Sequence, residues 1–259
     1  MNRKNAVILS ILLVSAVHVF AQTSANDIIA ASRERIKVET TSARTRWVLT
    51  AKDGSTAERL IDQYSKKGAK GDRAVIVFQQ PASVKGTRFL TMENQGAVDD
   101  QWIYLPSLNK VRRIASSEGS GSFMGTDLSY DDVGSSNRNP DLDVHTLLRE
   151  ENFNGHPCHV IESKPKDASY QYSRMLLWID NDSKLNWKIE CYDKKNTLVK
   201  ILEVLNVKDV QGYITPTVTK MSTLAAGTST TINVDIIKYD DPIPESVFTT
   251  SYLETGRAR

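Results

Sequence analysis

His156 and His159 flank Cys158, residue types that could hold a metal ion or pair a nucleophile with a base. Neither chemistry finds its spacing. No HExxH, no CxxC and no two-His-one-carboxylate set accompanies them, so a hairpin with surface imidazoles accounts for the stretch. GSGSFMG at 119–125 is as glycine-rich as a phosphate-binding loop. It lacks the third Rossmann glycine, the Lys-Ser/Thr of a P-loop and a surrounding βαβ unit. No serine in it sits in G-x-S-x-G, and Asp127, Asp131 and Asp132 do not follow a calcium-loop pattern. A carboxylate pair for glycoside chemistry could be drawn from 31 acidic residues, so any choice would be arbitrary. The residues call for no catalysis, no metal and no cofactor.

What does stand out suits an amphiphile. In DQWIYLP, Trp102 and Tyr104 share one face of a strand while Ile103 and Leu105 share the other. Lys110, Arg112 and Arg113 follow across a tight turn. Arg112 or Arg113 could direct hydrogen bonds at a phosphate or ester oxygen, and an acyl chain gains about 0.8 kcal/mol per buried methylene. An ordinary strand with solvated or acid-paired arginines fits the same residues. Phe123 and Met124 raise a second choice. An apolar pair on a Ser/Gly loop tends to plug a groove. It can then gate that groove, or it can belong to a surface Ω-loop packed on its own body. Both readings stay open.

The elements that must position these residues are mostly strands. Ser24 can cap a helix with Asp27 three residues on, and Ile28, Ile29, Ser32 and Ile36 keep helical spacing to about Lys37. Six β-rich runs follow to about residue 115 and seven more fill the second half, separated by turns such as Asp53-Gly54, Gln80-Pro81, Asn154-Gly155 and Gln211-Gly212. In KLNWKIECYD, alternation puts Leu185, Trp187, Ile189 and Cys191 on one face. RAVIVF and MLLWI are apolar on both faces and must be covered on both. Two short helices fit within 127–148 and one at 244–248, while 116–126 and 134–141 read as surface loops. An antiparallel sheet of roughly eleven strands curls rather than stays open. The expected fold is therefore mainly β, a large curled antiparallel sheet forming an incomplete, half-open β-barrel covered by short α-helices.

The chain opens MNRKNAVILSILLVSAVHVFAQ, with Arg3 and Lys4 before an apolar run too short to span a bilayer comfortably. Small residues at Val19 and Ala21 place a cleavage site before Gln22. Residues 1–21 then form an export signal, and 22–259 form one exported domain with no lipid anchor. Without Arg3 and Lys4, 31 basic residues face 31 acidic ones, a balance that argues against a nucleic-acid partner. Cys158 and Cys191 could bridge in an oxidising compartment. If a strand of a meander separates them, bridging distance is exceeded and they remain buried thiols.

FQQPASVKGTRFL (78–90), DDQWIYLPSLNKVRRI (99–114), SGSFMGTDLSYDD (120–132), CHVIESKP (158–165) and LLWID (176–180) resemble the LolA-like outer membrane lipoprotein-sorting protein family over about residues 25–255. The resemblance implies an incomplete barrel closed by helices around a hydrophobic cavity. It also implies a monomeric, non-enzymatic periplasmic carrier or chaperone for lipoprotein acyl chains or envelope lipids, possible beside an inner-membrane exporter. The residues that match are the Trp102–Tyr104 strand, Arg112 with Arg113 and the Phe123–Met124 loop. Candidates to line the cavity, with either sheet face allowed, are Trp47, Phe78, Phe89, Leu90, Trp102, Tyr104, Met175, Leu177, Trp178 and Trp187. Arg112 or Arg113 would meet the headgroup, and Phe123 and Met124 would gate. A sensor or adaptor that binds a protein partner with the same fold is the alternative.

Overall fold

The computed structural model describes residues 24–69, 71–94, 96–134 and 138–258; the expected export signal at 1–21 lies outside them. The first meander comprises β1 (Thr40–Thr50), β2 (Thr56–Lys66), β3 (Arg73–Gln80), β4 (Arg88–Met92), β5 (Asp100–Leu105) and β6 (Lys110–Arg113). The second comprises β7 (Asp143–Phe153), β8 (His156–Pro165), β9 (Arg174–Asp180), β10 (Asn186–Tyr192), β11 (Leu198–Val210), β12 (Tyr213–Thr223) and β13 (Thr228–Tyr239). All thirteen belong to one antiparallel sheet, ordered β6-β5-β4-β3-β2-β1-β13-β12-β11-β10-β9-β8-β7. The count exceeds the expected eleven because every β-rich run keeps its own place, four-residue β6 included.

The meanders join where the first and last strands pair, with Trp47 opposite Ile232. The two edges, β6 and β7, are consecutive in sequence and do not pair with each other. The sheet is thus an incomplete barrel, and the chain leaves its β6 edge at residue 114.

Directly paired residues point to the same side of a sheet, so the register traces one face across the molecule. Starting in the second half, Ile161 opposes Leu177, Leu177 opposes Ile189, Ile189 opposes Leu202, and Leu202 opposes Met221. Met221 opposes Thr230, Thr230 opposes Leu49, and two residues along β1 Trp47 opposes Arg59. Ile61 then opposes Phe78, Ile76 opposes Phe89, Phe89 opposes Ile103, and Ile103 opposes Arg112. We call this the inner face. Helix α1 (Ala25–Arg33) packs Ile28 and Ile29 against Ile161 and Ile179 on it. Ser24 caps that helix: its hydroxyl accepts from the Asp27 amide at 3.1 Å, and the Asp27 carboxylate accepts from the Ser24 amide. The helix stops at Arg33, short of the expected Lys37.

The opposite face of β3 to β5 carries Val75, Val77, Leu90 and Tyr104, which pack with Val247, Phe248 and Leu253. Strand β3 is therefore buried on both sides, as its unbroken apolar run requires. The expected terminal helix at 244–248 is instead a 3-10 turn, Glu245–Phe248. The true helix, α3 (Thr250–Thr255), comes after it, capped by the Thr249 hydroxyl and ended by Gly256 at φ +66°. Arg88 donates to the Leu253 carbonyl at 2.6 Å and ties α3 to the sheet.

Cys158 on β8 and Cys191 on β10 are both free and buried, with β9 between them. Burial pushes their thiols up, to about 11 and about 12 respectively. No helix among the described residues is long and apolar enough to cross a membrane.

Candidate functional site

The inner face is hollow on its first half only in backbone terms, because the chain fills it. Residues 116–134 form a strap that crosses the face and ends in helix α2 (Tyr130–Gly134). Phe123 is fully buried at its centre, with ring centroids 5.0 Å from Phe89, 5.5 Å from Tyr130, 5.8 Å from Phe78 and 6.1 Å from Trp47. Edge-on and tilted geometries of this kind are the favourable ones for aromatic rings. Ile61, Ile76, Ile103, Ile114, Leu128 and Met221 complete the buried cluster. The segment expected as a surface loop at 116–126 thus inserts its apolar tip into the barrel.

Local chemistry explains the tip. Phe123 donates its amide to the Leu128 carbonyl at 2.8 Å, and Thr126 donates to the Phe123 carbonyl at 3.0 Å, closing a tight turn. Met124 and Gly125 turn the chain with φ of +52° and +76°, which glycine tolerates freely and methionine does not. Gly119 is required for a different reason: a Cβ there would lie 2.2 Å from Asp131 Oδ1. Met124 itself is partly buried against the same inner cluster.

Three polar anchors hold the strap. At its start, Arg112 gives Nη1 to both carboxylate oxygens of Glu118, at 2.8 and 2.9 Å. Midway, Asp127 accepts from the Thr228 and Thr230 hydroxyls of β13, at 2.5 and 2.8 Å, and its amide donates to Thr230 Oγ1 at 3.0 Å. At the far end, Asp132 accepts from Lys200 Nζ at 2.8 Å and from the Tyr172 hydroxyl at 2.8 Å. The carboxylate of Asp132 is 6 % exposed and the Lys200 side chain 16 %. Burial and the Asp132 charge both push the Tyr172 phenol upward, keeping it a neutral donor. The Arg112 pair is half exposed and adds little; the Asp132 pair is the strong anchor.

The register divides the residues singled out from the sequence. Trp47, Phe78, Phe89, Met175 and Leu177 lie on the inner face. Leu90, Trp102 and Tyr104 lie on the other, beneath α3. Trp178 packs with Val160 and Leu176 on that outer side, and Trp187 joins it. Alternation had placed Trp187 with Ile189 and Cys191. An irregularity in the β9–β10 register between Asn186 and Lys188 turns it over, where it stacks on His156 at 4.0 Å. Arg112 faces inward. Arg113, opposite Trp102, faces outward and pairs with Asp100.

One residue was missed. Arg59 sits on the inner face opposite Trp47, with its guanidinium carbon 5.8 Å from the Phe78 ring centre. Its Nη1 is buried and has no hydrogen-bond partner, and desolvation lowers its pKa. In the strand ERLIDQYSK it looks like any solvated arginine, so only its placement reveals it.

At the edge of the Phe123 cluster Leu202 and Ile232, and toward α1 Leu177, join Ile189 in keeping the inner face apolar and half-buried. Beside α2, a cavity of about 380 Å³ is lined by Asp99, Gln101, Asp131, Arg138 and Tyr170. Burial raises the Asp99 and Asp131 carboxyls to about 6. Among the described residues, no cluster of three or more His, Cys, Asp or Glu side chains could hold a metal ion.

The family model whose description reads "Uncharacterized protein" matches residues 70–255. No curated protein matches the chain. Among solved structures, a domain from Vibrio parahaemolyticus described as an outer membrane lipoprotein-sorting protein is 29% identical. It aligns over 89% of this chain and 98% of its own, with a TM-score of 0.84. A DUF1329 family protein from Desulfovibrio piger is also 29% identical, over 88% and 97% of the two chains, with a TM-score of 0.82. A LolA superfamily protein from Nitrosomonas europaea shares the fold at 22% identity and a TM-score of 0.72, over 89% of this chain and all of that one.

Proposed function

This chain belongs to the LolA-like outer membrane lipoprotein-sorting protein family, and from that premise we propose that it is a non-enzymatic periplasmic carrier. It holds the acyl chains of lipoproteins or envelope lipids against its inner face, on the way toward the outer membrane. The observation that carries the reading is the strap. A sheet that curls around an apolar face, and covers part of it with a strap that inserts Phe123 beside Leu128 and Met124 on polar anchors, has a reversible cover rather than a fixed core. A phenylalanine side chain and a short stretch of acyl chain bury comparable apolar area, so either can occupy the place. The half-buried row of Leu177, Ile189, Leu202 and Ile232 continues the same surface and gives a longer chain somewhere to run.

Native mass spectrometry of the protein isolated from cell envelopes tests this. We expect adducts with the mass of a lipid or an acylated peptide, lost on delipidation and restored by adding a single-chain amphiphile. A stable stoichiometric complex with another protein, carrying no lipid and transferring none, would replace the carrier with an adaptor.

A further inference from the structure

We propose that the cargo is an anionic amphiphile, and that Arg59 with the Thr228 and Thr230 hydroxyls forms its headgroup site. The inference rests on the carrier reading and specifies its ligand. Its starting point is what the strap places on the inner face. Phe123 puts an apolar group into the aromatic cluster. Four residues on, Asp127 puts a carboxylate onto the two threonine hydroxyls of β13. The strap therefore presents a tail and an anion together. It occupies the face as a ligand of that composition would, and the groups it covers indicate what the ligand carries.

Arg59 supplies the cation that Asp127 does not use. Its side chain makes no hydrogen bond or ion pair with any described residue, its Nη1 is buried, and its guanidinium packs over Phe78. The turn at Gly125 lies directly over it, since a Cβ at that glycine would be 3.8 Å from Arg59 Nη2. A buried donor left without an acceptor is destabilising in the closed state, and a phosphate or carboxylate entering as the strap leaves would satisfy it. Arg59 opposes Trp47 on β1, and Thr230 opposes Leu49 two residues along. Strand spacing and rise put Arg59 and Thr230 about 12 Å apart at Cα, a span that an extended arginine and one phosphate bridge. The other desolvated arginine without a carboxylate, Arg35, already gives Nη1 to the Ile214 carbonyl at 2.6 Å.

The test compares binding of lysophosphatidylglycerol, lysophosphatidylcholine and monoacylglycerol of equal chain length, with inorganic phosphate as a fourth probe. The protein is the mature chain, either unaltered or carrying Arg59→Gln or Arg59→Lys, with its fold checked by circular dichroism. The unaltered protein should bind the anionic lysolipid at least tenfold tighter than the other two. Arg59→Gln should bring the affinities for the three within about twofold of one another, and Arg59→Lys should keep part of the preference. Equal affinity for the three amphiphiles in the unaltered protein would overturn the headgroup site and leave the carrier standing. So would a preference that survives Arg59→Gln, or inorganic phosphate binding as tightly as the anionic lysolipid. Binding of no amphiphile at all would overturn both.

Discussion

Phe123→Ser should lower the unfolding free energy by about 3 kcal/mol and, at the same time, make the protein take up amphiphiles faster. A fully buried phenylalanine truncated in a well-packed core costs about 3–5 kcal/mol. The lower end applies because the strap can undock rather than leave a cavity. Undocking caps the loss at whatever holds the strap down. Since about 1.4 kcal/mol is a factor of ten in an equilibrium, 3 kcal/mol raises the open fraction by roughly a hundredfold. Association of a fluorescent fatty acid or lysolipid, followed by stopped flow, should accelerate accordingly until the face is permanently open. Unchanged association with a clear loss of stability would make Phe123 a plain core residue and remove the gate.

A comparable loss should follow from Asp132→Ala, for an electrostatic reason. The substitution leaves Lys200 and the Tyr172 hydroxyl buried without their acceptor. Removing one partner of a buried pair typically costs about 3–5 kcal/mol, more than the pair itself is worth. The double variant Asp132→Ala with Lys200→Met should recover a substantial part of that loss, which a double-mutant cycle in urea would measure as a coupling energy above about 1 kcal/mol. Additive losses, with coupling near zero, would mean that the anchor does not act as a unit. Because α2 would be freed, amphiphile uptake should accelerate in the single variant and fall back toward the unaltered rate in the double one.

Alternation in DQWIYLP correctly separated Trp102 and Tyr104 from Ile103 and Leu105, but nothing local says which pair turns inward. That depends on α3, a helix of six residues lying far along the chain at 250–255, whose packing covers the Trp102 side. Trp187 was misplaced because alternation assumes an unbroken ladder, and the register irregularity before Lys188 reverses the face of a residue without any change in composition. The Phe123–Met124 pair was conspicuous from sequence because an apolar pair is out of place among serines and glycines. Its depth was not conspicuous, since burial there comes from four aromatic rings on four other elements. Arg59 was invisible for the converse reason. A charged residue in a strand reads as solvated until the fold covers it with a turn from 66 residues away.

Hydrogen–deuterium exchange over 119–134 tests the central claim most directly. In the closed protein the amides of Phe123, Tyr130 and Asp131 are held by strap carbonyls, and that of Asp127 by Thr230. Adding lysophosphatidylglycerol below its micellar concentration should speed exchange at these amides by an order of magnitude or more, while β1 to β3 become better protected. Lysolipid binding with the strap amides as slow as before, or slower, would contradict the account, because the cargo would then be held somewhere that Phe123 does not cover.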